Sequence, residues 1–254
     1  MIDKVGNRLL PWVSNYFVQR LSVVVVFLYA SCTMLCQSHL ASSANPSRHV
    51  AFFEVRDRNM IDALLLFGQQ EHIGVGIDYI DAAALQQRVT VELRAATVAD
   101  VLDAITQRFG YRWSTSGRVV RITHPGAMVG SRNLLNMRIA KFKVSDLPLE
   151  QADCNLKIAF YFALNPKSTG MAGDCPYGGI EYRIGPLDAK NETVAQILDA
   201  LVSQHGNGAW VAQQPPWTMD KDIGYGLWKM LAYDRTDGEY SRALQVRGLG
   251  LQNR

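Results

Sequence analysis

The sequence predicts an α+β fold of two small mixed-sheet domains with helices packed on the sheet, in a βαββαββ-like order. Between residues 51 and 124, stretches with the two-residue period of a strand alternate with stretches of helical period, and turn residues separate neighbouring strands. In addition, residues 97–110, TVADVLDAITQRFG, recur at 193–206 as TVAQILDALVSQHG, with seven of fourteen positions identical. We therefore expect an internal duplication; chance likeness of two amphipathic helices is the alternative.

The first domain is expected at 50–125. AFFEV at 51–55 predicts a strand, and Asn59 is placed as the N-cap of a helix, MIDALLLFGQQEH, with Ile61, Leu64, Leu65 and Gly68 on its inner stripe. GVGIDY at 74–79 and RVTVELRA at 88–95 alternate like half-buried strands. The glycines of GVGIDY lie within a strand and lack the third glycine of a dinucleotide-binding loop.

The helix at 97–110 carries its own start and stop signals. Thr97 and Asp100 form a capping box, and Gly110 suits the left-handed residue that ends a helix. Its buried stripe is expected to consist of Val98, Val101, Leu102, Ile105 and Phe109. YRWST and RVVRIT then predict a hairpin about Ser116-Gly117.

The second domain is expected at 133–234. MRIAKFKVS predicts a strand, LEQADCNLKIAFYFAL a helix and IEYRIGPL a strand. The recurring helix follows, with Thr193 and Gln196 as its capping box and Gly206 as its stop. AWVAQQ and GLWKMLAYD predict a closing hairpin that is interrupted by the insertion PPWTMDKDIGY.

Residues 1–44 have the pattern of an export signal. Lys4, Arg8 and Arg20 precede the uncharged run LSVVVVFLYASCTMLC, and Ser42-Ser43-Ala44 fits a cleavage site. An uncleaved membrane anchor and lipidation at Cys32 are the alternatives. We expect a leader at 45–49, a C-terminal tail at 235–254 and a periplasmic location, with association with the outer membrane left open.

Two cysteines remain in the exported chain. In an oxidising compartment Cys154 and Cys175 are candidates for a disulfide bond, with two buried free thiols as the alternative. No metal site is expected, because zinc requires closely spaced ligands and the histidines are scattered singly at His39, His49, His72, His124 and His205.

Composition and motifs point away from nucleic acid and from catalysis. The formal net charge is +3, from 26 Lys and Arg against 23 Asp and Glu, too small for a protein built around phosphate backbones. No nucleophile elbow, P-loop or metalloprotease motif is present, so we expect no catalytic residues and no cofactor. Asp103 and Asp199 occupy equal places in the recurring helices and are interpreted as solvated or structural charges on the helix surface.

The insertion before the last strand is the candidate partner surface. Trp217, Tyr225 and Trp228 could form it, because aromatic side chains dominate interface energetics. The alternative is that these rings cover the core of the second domain.

Residues 51–124 resemble the short N-terminal domain (STN) shared by secretins and TonB-dependent receptors. The resemblance is carried by FFEVRDRNMIDALLLFGQQEHIGVGIDY, by VTVELRAATVADVLDAITQRFGYRW and by GRVVRI. It implies a periplasmic docking or signalling module that contacts another envelope protein and performs no chemistry. No barrel, plug or secretin core follows in this chain, so we do not expect a pore. A structural accessory subunit of an outer-membrane secretion or uptake assembly is the alternative, and a periplasmic enzyme is a further one.

If the export and disulfide predictions hold, periplasmic extracts contain a chain that begins at Asn45 with Cys154 bonded to Cys175. Intact-mass spectrometry measures both, because reductant then adds the mass of two hydrogens to the processed chain. A full-length chain whose mass is unchanged by reductant would contradict both predictions.

Overall fold

The computed structural model describes residues 44–78, 80, 82–127, 133–169, 183–212 and 227–233. The predicted export segment up to residue 43 and the predicted tail at 235–254 lie outside these residues. Within them no helix has the length and hydropathy needed to cross a membrane. The predicted α+β class is confirmed.

The described part of the first half of the chain contains five strands and three α-helices. They are β1 (His49–Asn59), α1 (Met60–Glu71), β2 (Gly74–Ile77), α2 (Ala82–Gln86), β3 (Arg88–Thr97), α3 (Val98–Thr106), β4 (Arg112–Ser116) and β5 (Val119–Thr123). The described part of the second half contains β6 (Arg138–Val144), β7 (Leu147–Pro148), α4 (Leu149–Leu164), β8 (Arg183–Ile184), β9 (Leu187–Thr193), α5 (Val194–His205), β10 (Gly208–Ala212) and β11 (Trp228–Ala232).

Both halves contribute to one five-stranded sheet in the order β11-β10-β2-β5-β4. β2 runs parallel to β5 on one side and to β10 on the other, while β4/β5 and β10/β11 are antiparallel hairpins. The two predicted domains therefore share a sheet, where the sequence suggested one sheet for each. The physical reason is that every residue of β2 is buried, so both of its edges need backbone partners, and β10 supplies the second.

The two faces of this sheet belong to different cores. Val75, Ile77 and Val120 face the first core, which also contains α1, α3 and the antiparallel pair β1/β3, the first ribbon. Trp210 and Trp228 face the second core, which contains α4, α5 and the antiparallel pair β6/β9, the second ribbon. Alternation along each central strand thus sends its side chains into two separate apolar layers.

The same connection from strand to helix occurs four times. Each of α1, α3, α4 and α5 follows directly on a strand, and the residue two positions before its N-cap has a positive φ. These residues are Asp57 (φ 51°), Ala95 (φ 51°), Asp146 (φ 55°) and Asn191 (φ 55°). None of them is glycine, so this left-handed conformation costs energy that the packing of ribbon and helix offsets.

The predicted helix caps are confirmed. Asn59 caps α1, and the capping boxes of Thr97 with Asp100 and of Thr193 with Gln196 start α3 and α5. In α3 and α5 the first backbone amide also donates a hydrogen bond to the residue just before the first strand of the ribbon. Val98 N–H donates to the carbonyl of Arg48, and Val194 N–H to that of Met137, both at 3.0 Å. The two recurring segments therefore share local geometry as well as sequence.

Several elements differ from their predictions. β2 was expected to be half-buried but is buried at all four residues, because the second core packs against its glycines, and the short helix α2 was not predicted. α1 is buried on nearly all sides, not along one stripe, because it lies in the first core between ribbon and sheet. The strand expected in IEYRIGPL reduces to Arg183–Ile184 among the described residues. β9 was not predicted, because LDAKNET is polar and buries only Ala189; it forms by pairing along β6.

Glycines on β2 allow the second core to approach its backbone. A Cβ at Gly76 would lie 2.5 Å from Cε2 of the Trp210 ring, and one at Gly74 would lie 2.6 Å from Cγ1 of Val202. Only a residue without a side chain leaves room for both neighbours.

Replacing Gly76→Ala should therefore lower the free energy of unfolding by about 1–3 kcal/mol, the usual cost of overpacking. Gly185→Ala is the matched control, because its Cβ would meet only Gln204 Oε1 at 3.7 Å. Urea unfolding of both variants measures the difference. Equal stabilities would contradict the close approach of Trp210 to β2.

Candidate functional site

Three helical aspartates in the described structure accept a hydrogen bond from the indole N–H of a strand tryptophan. The pairs are Asp103 with Trp113 at 2.7 Å, Asp153 with Trp228 at 2.7 Å and Asp199 with Trp210 at 2.8 Å. A buried indole needs an acceptor, and a carboxylate makes the bond stronger than a neutral group does.

In two of the three pairs a cation completes the group. Arg121 Nη2 donates to the second carboxylate oxygen of Asp199 at 2.6 Å, and its guanidinium carbon lies 5.9 Å from the Trp210 ring centroid. Lys157 Nζ donates to Asp153 at 2.6 Å and lies 5.8 Å from the Trp228 centroid. We call these the Asp199 cluster (Arg121, Asp199, Trp210) and the Asp153 cluster (Asp153, Lys157, Trp228).

The Asp199 cluster connects the two halves of the chain. Arg121 is on β5, Trp210 on β10 and Asp199 on α5, so the group spans β2 between its two parallel neighbours. Asp78 follows β2 directly and accepts from Asn133 Nδ2 at 3.3 Å. This places two carboxylates and one guanidinium at the end of the only described strand that has parallel partners on both edges.

Burial dominates the electrostatics of these carboxylates. Desolvation raises the pKa of Asp199, while the Arg121 charge and the Trp210 indole act in the opposite direction. Desolvation also raises the pKa of Asp78, against the hydrogen bond from Asn133 and the Arg121 charge. A guanidinium next to both groups is what keeps two buried carboxylates compatible with each other.

Both oxygens of Asp199 and of Asp153 are engaged within the protein, which favours a structural role for these carboxylates. The interpretation of Asp103 and Asp199 as structural charges fits these bonds, but the expectation of a surface position is wrong for Asp199, which is buried. Within the described residues no three His, Cys, Asp or Glu side chains are grouped to hold a metal ion.

Of the candidate partner and disulfide residues, the structure describes Trp228 and Cys154. Trp228 is fully buried, packs edge-to-face on Phe160 at 5.4 Å and has no surface for a partner, as the core-covering alternative expects. Trp217 and Tyr225 lie outside the described residues. Cys154 is disulfide-bonded, but Cys175 also lies outside them, so their pairing stays a prediction.

Sequence reasoning missed Arg121, Asp153 and Lys157. The i,i+4 spacing of Asp153 and Lys157 on one helix was a readable signal for an ion pair. Nothing local in the sequence indicated Arg121, whose partner Asp199 is remote along the chain.

Several described strands are exposed on one face and have an unpaired edge. Among the described residues, the first and the second ribbon each consist of two strands with no third strand on either edge. β4 is an edge strand of the central sheet and is mostly exposed. Such edges carry backbone donors and acceptors that another chain can pair with.

Replacing Asp199→Ala should cost about 3–5 kcal/mol of unfolding free energy, because it leaves the Arg121 charge and a buried indole without their acceptor. Asp103→Ala, the matched control in α3, should cost only about 1 kcal/mol, because Trp113 is half-buried and no cation is involved. Chemical denaturation of both variants tests this. Equal losses of unfolding free energy in the two variants would show that the Asp199 cluster contributes no more to stability than the Asp103–Trp113 pair.

The raised pKa of Asp78 makes its contribution depend on pH. Because the folded protein holds this proton more tightly than the unfolded chain, wild type should lose stability relative to Asp78→Asn as pH rises from about 4 through the raised pKa. Paired unfolding curves of the two proteins, collected about one pH unit apart from pH 4 to neutral pH, measure this loss. A difference that does not change with pH would contradict the desolvation of Asp78.

Comparisons with protein-family models, with curated proteins and with solved structures found no match to this chain. The resemblance to the short N-terminal domain therefore rests on the residues that carry it.

Proposed function

We propose that this chain is an exported protein of the bacterial cell envelope that recognises another protein and catalyses no reaction. The observation that carries the proposal is the pair of exposed two-stranded ribbons, whose outer edges have no strand partner among the described residues. Strand edges of this kind are a common means of binding an extended segment of another protein.

The interior supports binding over catalysis. The buried carboxylates of the Asp199 and Asp153 clusters are committed to indoles and cations of the same chain, so they are held in place and shielded. A general acid or base has to reach a substrate proton, and these groups have their oxygens occupied. In this proposal a partner therefore binds on the outside of the molecule.

The recurring geometry supports descent of the two halves from one ancestral unit. Four strand-to-helix connections share a left-handed residue two positions before the cap, and α3 and α5 share their capping boxes and their bonds to the paired ribbon. In this proposal each half keeps a ribbon over a helix pair. Each ribbon then presents one outward face to a partner.

A photo-crosslinking residue placed at Phe52 or Lys141, on the outward faces of the two ribbons, should capture an envelope protein in the producing bacterium. Lys167 is the control position, because it is exposed and belongs to neither ribbon. Adducts are identified by mass spectrometry. Adducts no stronger than those of the control, together with turnover of a small molecule, would overturn the proposal in favour of an enzyme.

A further inference from the structure

The outward face of the second ribbon carries a like-charge pair. Lys141 on β6 stands directly opposite Lys190 on β9, and Lys143 stands opposite Asp188 in the same register. All four side chains are exposed. Like charges at directly opposed positions of an antiparallel pair destabilise it, so this arrangement has a cost unless an anion is present.

No residue in the described part of the chain supplies that anion. The side chains of Lys141, Lys143 and Lys190 make no ion pair or hydrogen bond in the described structure, although Asp188 faces Lys143 across the strands. Counting these three lysines and Asp188, the face has a net charge of +2. The surrounding chain is close to neutral, so the charge is local.

In the first ribbon a like-charge pair is compensated by cations of the same chain. There Glu54 stands opposite Glu92, again a like-charge pair on the outward face. Arg56 pairs with Glu54 and lies 3.9 Å from Glu92, and Arg94 Nη2 lies 3.2 Å from Glu92. The repulsion in the first ribbon is compensated internally, whereas the repulsion in the second ribbon is left for a partner.

We propose that the second ribbon binds an extended, acidic segment of a partner protein, with carboxylates over Lys141, Lys143 and Lys190. This inference rests on the proposed function and names the chemistry of the partner. Lys141 and Lys143 are two residues apart on one face, which matches the spacing of alternate side chains in an extended peptide. The free strand edge beside them offers backbone hydrogen bonds in the same register, which a lipid headgroup cannot match.

The test uses the full chain and a synthetic peptide of about twelve residues in which Glu and Thr alternate, with a Gln-Thr peptide as the neutral probe. Fluorescence anisotropy at low ionic strength measures binding, because screening weakens exposed ion pairs as salt is added. The variant is Lys141→Gln with Lys190→Gln. The matched control is Arg112→Gln with Lys167→Gln, which removes two exposed charges that lie outside the second ribbon.

We expect the Glu-Thr peptide to bind wild type and the control, and the ribbon variant to bind it about tenfold more weakly. The melting temperature of the ribbon variant should not fall, because the substitution removes a repulsion. Absence of peptide binding, or equal binding by all three proteins, overturns the inference. Stronger binding to vesicles with anionic headgroups than to the peptide assigns the face to a membrane and overturns it as well.

The same variant separates this inference from the proposed function. If crosslinks to an envelope protein from Phe52 persist in the Lys141→Gln, Lys190→Gln chain and the acidic peptide fails to bind wild type, protein recognition stands and the assignment of the second ribbon is wrong. Absence of crosslinks above the Lys167 control from both ribbons of the wild-type chain counts against the proposed function itself.

Discussion

The fold depends on the position of β2 between β5 and β10. Its residues are buried on both faces, so its backbone groups find partners only in neighbouring strands, and those strands come from the two different halves of the chain. Gly74 and Gly76 let α5 and the Trp210 ring lie close to its backbone. The Asp199 cluster then fixes that ring by its indole nitrogen and covers it with a guanidinium.

Local elements could be read from the sequence wherever a single segment encodes them. The capping boxes at Thr97 and Thr193, the stop at Gly206 and the hairpin about Ser116-Gly117 depend on residues within a few positions of each other, and the structure has them as expected. The helix Leu149–Leu164 was delimited correctly for the same reason.

Elements that depend on remote partners could not be read in this way. β9 has too few apolar residues to signal a strand and exists because β6 lies alongside it. The sharing of one sheet by both halves follows from the second edge of β2, which no periodicity reports. Arg121 belongs to the Asp199 cluster through a contact between residues far apart in the chain.

The pairing of Val75 with Ala209 has a consequence for how the protein reaches its native state. A chain that emerges from the ribosome or a translocation channel in N-to-C order presents β2 long before β10 exists. During that interval an apolar strand has an open edge, the condition in which unfinished chains associate with one another. Slow, non-local closure of this kind favours a holding chaperone during biogenesis, and it makes the first half a poor candidate for expression as an isolated fragment.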